Sequence, residues 1–385
     1  MTATVPRARL LIVGAFPPSG RAVYGGMVTS CRALLRSSLP QRVELALIDT
    51  TQSAHPPPPA PLRTWRALRR MASYFGALES RRPDAVMLFV AAGMSVADKG
   101  AMAWYARARG VPVLLFPRGG PVLEACRRSR VARVWVRLAF GGARMILCQG
   151  PAWRRFALDT LRFAPEAAPV IPNWTASPEL LELGRARAAA GAVPRVLFVG
   201  WLDREKGIAE LLSACRELAT QRRFTLHLAG EGNLSVVARG YVAAHGLSER
   251  VEFCGWLGEQ ELRTQYARAD IFVLPSWSEG LPNAMIEAMA AGLAVIATAV
   301  GNVPDTLQNG ASALLIAPRD PTALQLALGR LIDDAPLRRV LGQAAHGIAA
   351  SEFGVEPAVD RIVAAVMQAR GLHGSSRTQH RSEPG

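Results

Sequence analysis

Two glutamates with seven residues between them stand in the stretch of the chain best suited to chemistry, Pro275-Ser276-Trp277-Ser278-Glu279-Gly280-Leu281-Pro282-Asn283-Ala284-Met285-Ile286-Glu287-Ala288-Met289-Ala290-Ala291-Gly292. The run follows an apolar, strand-like segment, Ile271–Leu274. Gly280 permits a tight turn, Pro282 suits a first helical turn, and Gly292 suits a helix end. The spacing therefore predicts Glu279 in a loop and Glu287 two turns into a helix. Backbone amides of Gly280, Leu281 and Asn283 would then project from a helix N-terminus, a place where phosphate or sugar hydroxyls bind. A charged carboxylate beside them accepts hydrogen bonds from vicinal hydroxyls at about 1.5–3 kcal/mol each. The competing reading makes Glu279 a partner of the helix dipole and Glu287 a solvated side chain. Against that, Glu287 sits among Ala, Met and Ile, where an unpaired charge is costly.

The elements that must position these residues follow a simple rhythm. Short apolar runs at 9–14, 43–48, 85–90, 111–116 and 144–148 alternate with amphipathic segments at 26–38, 62–80, 96–109 and 128–140. The second half repeats the pattern, with strands expected at 195–200, 224–229, 251–254, 271–275, 294–298 and 313–316. Helices are expected there at 207–220, 234–245, 259–269 and 283–291. Strands alternating with helices imply doubly wound parallel sheets, so the chain reads as α/β with two Rossmann-like domains. Ligands of such sheets bind beyond the carboxyl ends of the strands, which puts an expected ligand in a cleft between two facing domains. The expected division is 1–172 and 173–355, then a helix at 356–370 packing back on the first domain and a disordered tail at 371–385. The join, 170–192, reads as polar and irregular. The proline-rich segment His55–Pro61 reads as a loop.

Five stretches in order resemble the family 4 retaining glycosyltransferases of the GT-B fold. Glu279 to Glu287 is similar to their E-x7-E motif. Phe198-Val199-Gly200-Trp201-Leu202-Asp203-Arg204-Glu205-Lys206-Gly207 resembles their "VGRL…KG" loop. Leu228-Ala229-Gly230-Glu231-Gly232, Val251-Glu252-Phe253-Cys254-Gly255 and Ile171-Pro172-Asn173 resemble further family segments. The first half matches loosely, through Phe16-Pro17-Pro18 and Gly25-Gly26. The resemblance implies a donor nucleotide-diphosphate sugar bound by the second domain and an acceptor bound by the first. It implies that Glu279 contacts the transferred sugar and Glu287 the ribose hydroxyls. Lys206 would bind the diphosphate, where an ammonium stabilises the developing charge of the leaving group. Gly25 and Gly26 would let backbone approach the diphosphate or acceptor, and backbone near Phe253–Trp256 would meet the base. Two departures stand out. Trp201 replaces an Arg common after "VG", so Arg204 is expected to compensate. Where many members have a His, this chain has Phe116-Pro117-Arg118-Gly119-Gly120, and Arg118 becomes a candidate for the diphosphate or an anionic acceptor.

No Asp-x-Asp lies near a strand end, so no metal or other cofactor is expected. The resemblance implies displacement with retention, in which the leaving diphosphate would assist deprotonation on the same face, so that no dedicated base is needed. None is apparent: His227 reads as packed within a strand, and His55 and His245 lack acidic neighbours. Five scattered cysteines suggest neither disulfide framework nor zinc ribbon, which fits a cytoplasmic protein.

Charge adds the last clue. Of 45 basic residues only Lys99 and Lys206 are lysine, and the net charge is +15. Residues 1–172 hold 25 basic and 8 acidic groups; residues 173–385 hold 20 and 22. The excess falls on the expected acceptor domain and predicts an anionic partner. An anionic inner membrane face with a saccharide or polyprenyl-diphosphate-linked acceptor fits, and the 62–71 segment reads as a candidate surface helix. No nucleic-acid module accompanies the arginines, and no nucleic-acid partner is expected. No G-x-G-x-x-G follows the first strand, which disfavours a dehydrogenase. No run reaches the length of a membrane span. The alternative function is a non-catalytic nucleotide-sugar-binding partner of a glycan assembly system.

Overall fold

Runs of consecutive apolar residues suit strands covered on both faces, and in the computed structural model they form two sheets paired in parallel throughout. The structure describes residues 7–17, 25–51, 59–91, 93–118, 120–187 and 193–379. Pro18, Gly119 and most of the predicted proline loop lie outside them. The chain divides into two compact units, 1–23, 27–172 and 355–385 in one, 24–26 and 173–354 in the other.

The first unit contains β1 (Arg9–Gly14), β2 (Glu44–Asp49), β3 (Ala85–Val90), β4 (Val113–Pro117) and β5 (Met145–Ile146), in the order β2-β1-β3-β4-β5. Its helices are α1 (Gly26–Arg36), α2 (Leu39–Arg42), α3 (Ala60–Arg81), α4 (Met94–Ala108), α5 (Gly120–Arg128), α6 (Arg130–Phe140) and α7 (Pro151–Asp159). β3 is buried at every position, and its core partners include Leu11, Leu115 and Phe140. Three expectations need correction. The helix expected at 128–140 begins at Arg130, because Ser129 takes extended geometry and its hydroxyl accepts from Ala132 N at 3.2 Å. A separate α5 precedes it. The loop expected to reach Pro61 ends earlier, since α3 starts at Ala60 and accommodates Pro61 in its first turn, where no amide donor is needed.

The second unit contains α8 (Pro178–Arg185), β6 (Arg195–Val199), α9 (Ile208–Ala219), β7 (Thr225–Ala229), α10 (Ser235–Ala244), β8 (Val251–Gly255), α11 (Glu259–Arg268) and β9 (Ile271–Leu274). It continues with α12 (Asn283–Ala290), β10 (Ala294–Thr298), α13 (Val303–Thr306), β11 (Leu314–Ile316), α14 (Pro321–Asp333) and α15 (Ala335–Glu352). The sheet order is β11-β10-β9-β6-β7-β8. The irregular join is corrected by α8, which Ser177 caps by accepting from Leu180 N. Just after α8, Arg187 donates to the Ala291, Ala269 and Tyr266 carbonyls at 2.7, 2.6 and 2.8 Å. It thereby ties down the ends of α12 and α11, where orphan carbonyls favour a cation.

α16 (Val355–Gln379) returns to the first unit. Glu356 accepts from Ser38 N at 3.0 Å, Asp360 pairs with Arg42, and Gln368 donates to the Glu166 carbonyl. The helix passes position 371, where a disordered tail was expected. After Pro357 in its first turn no proline occurs up to Gln379, and propagating a formed helix adds one hydrogen bond for each residue fixed; residues 380–385 of the expected tail lie outside the described residues.

Candidate functional site

Two loops at the carboxyl ends of neighbouring strands carry the candidate site. β6 and β9 pair directly, so the loop after β6 (200–207) and the loop after β9 (275–282) emerge side by side. Hydrogen bonds from Trp277 tie the second loop to the first and to the start of α9. Trp277 N donates to the Glu205 carbonyl at 2.8 Å, and Trp277 Nε1 to Glu210 Oε1 at 2.9 Å. Gly207 has φ +72°, and a Cβ there would lie 2.2 Å from the Pro275 carbonyl oxygen. Only glycine allows both that conformation and that approach. Gly301 braces the other side: its Cβ would lie 2.2 Å from the Glu279 carbonyl oxygen, and Asn302 N donates to the Gly280 carbonyl.

This clamp brings together two groups that are 73 residues apart. Lys206 Nζ donates to Glu279 Oε1 at 2.5 Å. The side chains are 28% and 12% exposed, so the pair is partly shielded yet reachable. Its chemistry is that of a cation for a phosphate oxygen beside a carboxylate for hydroxyls.

Glu287 lies one helical turn into α12 and is buried at 7% exposure. Its Oε2 accepts from Tyr266 Oη at 2.9 Å. Burial raises its pKa to about 7, against the opposing hydrogen bond from Tyr266. Burial and the Glu287 carboxyl raise the Tyr266 phenol well above its ordinary range, so it stays a donor. The solvated reading of Glu287 thus fails. The first turn of α12 is held by Asn173, which donates to the Leu281 carbonyl and to Asn283 Oδ1, both at 2.6 Å. Gly25 and Gly26 fall with the second unit, where Asn283 Nδ2 donates to the Gly26 carbonyl at 2.6 Å. Leu281 is buried and anchors the loop rather than facing solvent.

Arg204 is exposed, with its guanidinium 5.3 Å from the Trp277 ring centroid; Arg319 lies 4.3 Å from the same ring. Sequence reading missed Arg319, a non-glycine residue at φ +63° in the loop after β11. That unusual conformation is visible only in three dimensions. Also missed was the partner of Trp201: its ring meets Trp256 edge-on, centroids 4.4 Å apart. Beside the 253–256 backbone, Arg239 stacks on Phe253 at 4.4 Å.

Arg118 belongs to the first unit. It donates from Nη2 to Ser30 Oγ at 2.6 Å and lies 5.1 Å from the Phe116 ring centroid. Burial lowers its pKa to about 10, which leaves it charged at neutral pH. His227 is packed in β7, but it is not without polar company. His227, Glu252 and Cys254 place one ligand atom each within 4.8 Å of one another, with His227 Nδ1 3.0 Å from Glu252 Oε2. They are the set of such residues, among those described, able to converge on a metal ion. The five cysteines are free thiols.

Two family models match the chain, "Glycosyl transferase 4-like domain" over residues 21–174 and "Glycosyl transferases group 1" over residues 193–334. The 2-deoxystreptamine glucosyltransferase of Streptomyces kanamyceticus is 33% identical over 197 residues, which cover 47% of this chain and 51% of that protein. The putative colanic acid biosynthesis glycosyltransferase WcaL of Salmonella typhimurium is 29% identical over 193 residues, 48% of this chain and 47% of that one. The chain thus spans about half the length of the curated relatives it matches. Sucrose-phosphate synthase from Thermosynechococcus elongatus has a TM-score of 0.76 at 20% identity, covering 94% of this chain and 99% of that one. At that identity the likeness speaks for the fold: parallel sheets with alternating helices, of the GT-B type.

Proposed function

The chain belongs to the family 4 glycosyltransferases, and on that premise we propose that it moves a sugar from a nucleotide-diphosphate donor to a saccharide or lipid-linked saccharide acceptor, with retention, in surface polysaccharide or glycolipid biosynthesis. The observation that carries this reading is the Lys206–Glu279 contact, formed where two strand-end loops are locked together. Lys206 binds the donor diphosphate, Glu279 the transferred sugar, and Glu287 the ribose hydroxyls. Amides at Gly280, Leu281 and Asn283, with backbone at Gly25 and Gly26, approach the phosphates or sugar. Arg204 compensates for Trp201, and Arg319, the second cation on Trp277, joins it at the rim. In the transfer, the acceptor oxygen bonds to the anomeric carbon as the bond from that carbon to the diphosphate oxygen breaks. The hydroxyl proton passes to the departing phosphate on the same face. Lys206 and the α12 N-terminus supply the positive charge this departure needs, so the reading calls for no metal.

The first unit takes the acceptor, with Arg118 a candidate for an anionic group on it. WcaL, named for colanic acid, supports a saccharide acceptor; the 2-deoxystreptamine enzyme supports a small soluble one. The arginine excess in the first unit favours an acceptor at an anionic membrane surface, with the protein peripheral on the inner, cytoplasmic face. No helix among the described residues is long and apolar enough to cross a membrane.

Trp201, packed against Trp256 where relatives commonly place Arg, favours one second reading, a non-catalytic binder of nucleotide sugars. A thermal-shift screen with UDP-, GDP- and ADP-sugars, followed by transfer to lipid-linked acceptors, tests both. Stabilisation with transfer that Glu279→Ala abolishes identifies the catalyst. Stabilisation without transfer identifies the binder, and no stabilisation by any donor refutes both.

A further inference from the structure

In the first unit the connections β2 to β3, β3 to β4 and β4 to β5 all advance in one direction across the sheet. Right-handed crossovers therefore put α3, α4 and α6 on the same side. They lie against one another: Arg70 of α3 pairs with Asp98 of α4 at 2.8 Å, and Trp104 Nε1 of α4 donates to the Leu138 carbonyl of α6 at 2.8 Å.

α6 is apolar in two directions. Val136, Ala139 and Phe140 enter the core. A covering helix normally turns polar residues the other way. Here Val131, Val134, Trp135 and Leu138 stand 79%, 60%, 52% and 60% exposed. Their spacing of three, one and three residues makes a single outward stripe. Arg130, Arg133 and Arg137 run beside it, all exposed, and α6 contains no acidic residue. The neighbouring helices repeat the combination. Trp65 and Leu68 of α3 are exposed beside Arg66 and Arg69, with Arg69 5.7 Å from the Trp65 ring centroid. Trp104 of α4 is exposed with Arg107 at 5.2 Å from its ring.

We propose that this three-helix face, centred on α6, docks on an anionic lipid bilayer. Val131, Val134, Trp135 and Leu138 enter the boundary between headgroups and acyl chains, and Arg130, Arg133 and Arg137 stay at the level of the phosphates. Arginine beside an apolar stripe with tryptophan is the composition that an interfacial helix needs. A polynucleotide would reward the arginines but leave the stripe in water. A second copy of the chain would cover the stripe but oppose arginine to arginine. The inference deepens the membrane part of the proposed function and does not depend on the donor site.

The test is co-sedimentation of the full chain with phosphatidylcholine vesicles, with and without phosphatidylglycerol. Quenching of tryptophan by acyl-brominated lipid reports depth. Selective binding to the anionic vesicles is expected, with quenching reduced in Trp135→Ser. Arg130, Arg133 and Arg137 changed together to Gln should weaken partitioning about a hundredfold. Val134→Ser with Leu138→Ser should weaken it at least about tenfold. These residues are exposed, so melting temperature and donor stabilisation should match wild type. Vesicle binding that is absent, or unaffected by both sets of changes, overturns the inference. So does a dimer that the serine variant dissociates, or binding to duplex DNA that outcompetes vesicles. Donor stabilisation measured on the same samples separates this failure from a failure of the transferase reading.

Discussion

Replacing Glu287 by Gln should stabilise the protein in alkaline solution and leave it unchanged in acid. The folded state raises the pKa of this carboxyl from 4.5 to about 7 through burial. Below the lower value the group is protonated both folded and unfolded, and contributes no pH dependence. Between the two values the folded state holds a proton that the unfolded chain has lost, so stability falls as pH rises. Above about 7 the full difference is felt, about 3 kcal/mol at 1.36 kcal/mol for each pKa unit. Gln keeps the size and still accepts from Tyr266 without ever ionising. At pH 8 the variant should therefore gain up to about 3 kcal/mol, or about 6–12 °C in melting temperature for a unit of this size. At pH 3.5, below both values, the curves should coincide. Thermal melts of both proteins at the two pH values are sufficient. Equal melting at pH 8, or a less stable variant there, refutes the reasoning, because it means that the folded protein already stabilises the ionised carboxylate. The same logic reaches function. If ribose hydroxyls are the missing partners of the charged form, donor affinity of the wild type should rise as pH passes through 7, and that of the variant should stay flat.

Lys206→Ala should lower transfer by about a hundredfold or more, the scale of losing one charge-stabilising donor, and weaken nucleoside-diphosphate binding measured by calorimetry; unchanged transfer would remove Lys206 from the mechanism. Gly207→Ala forces a methyl group to 2.2 Å from the Pro275 carbonyl oxygen at φ +72°, and should destabilise by about 2 kcal/mol or more in denaturant titration. Arg187→Met strips three carbonyls of their donor and should cost about 2–4 kcal/mol; chemical denaturation checks it, and a loss under about 0.5 kcal/mol would mean that water replaces the guanidinium.

The strands were legible because burial on both faces leaves an unbroken apolar run, and β1, β3 and β10 lie where the runs predict them. Their edges were less legible. Val43 reads as strand by type, yet its amide closes α2 on the Leu39 carbonyl, and β2 starts one residue later. The break between α5 and α6 carries one signal, Ser129, flanked by arginines that suit either a helix interior or its end. α8 is only eight residues long, too short for its apolar period to stand out. Its Ser-Pro-Glu start at 177–179 is the sign that was available.

At the site, what could be read was what is local. The loop, the turn glycines and the helix start around Glu279 and Glu287 follow from residues adjacent in sequence. The contact between Lys206 and Glu279 does not, because it depends on β6 pairing with β9 across an intervening βα series. Glu287 shows the difference most clearly. Sequence reading recognised that a charge among Ala, Met and Ile is costly, but not how the protein meets the cost. Tyr266, 21 residues earlier on α11, supplies one donor, and one donor does not offset the burial of a full charge. The pKa of about 7 expresses that imbalance. A site completed by a ligand should be poorly satisfied without it. Ribose hydroxyls donating to this carboxyl would favour its charged form, so donor binding near pH 7 should release a proton from Glu287. Calorimetry in buffers of different ionisation enthalpy measures that release. A binding enthalpy independent of buffer would place the ribose elsewhere.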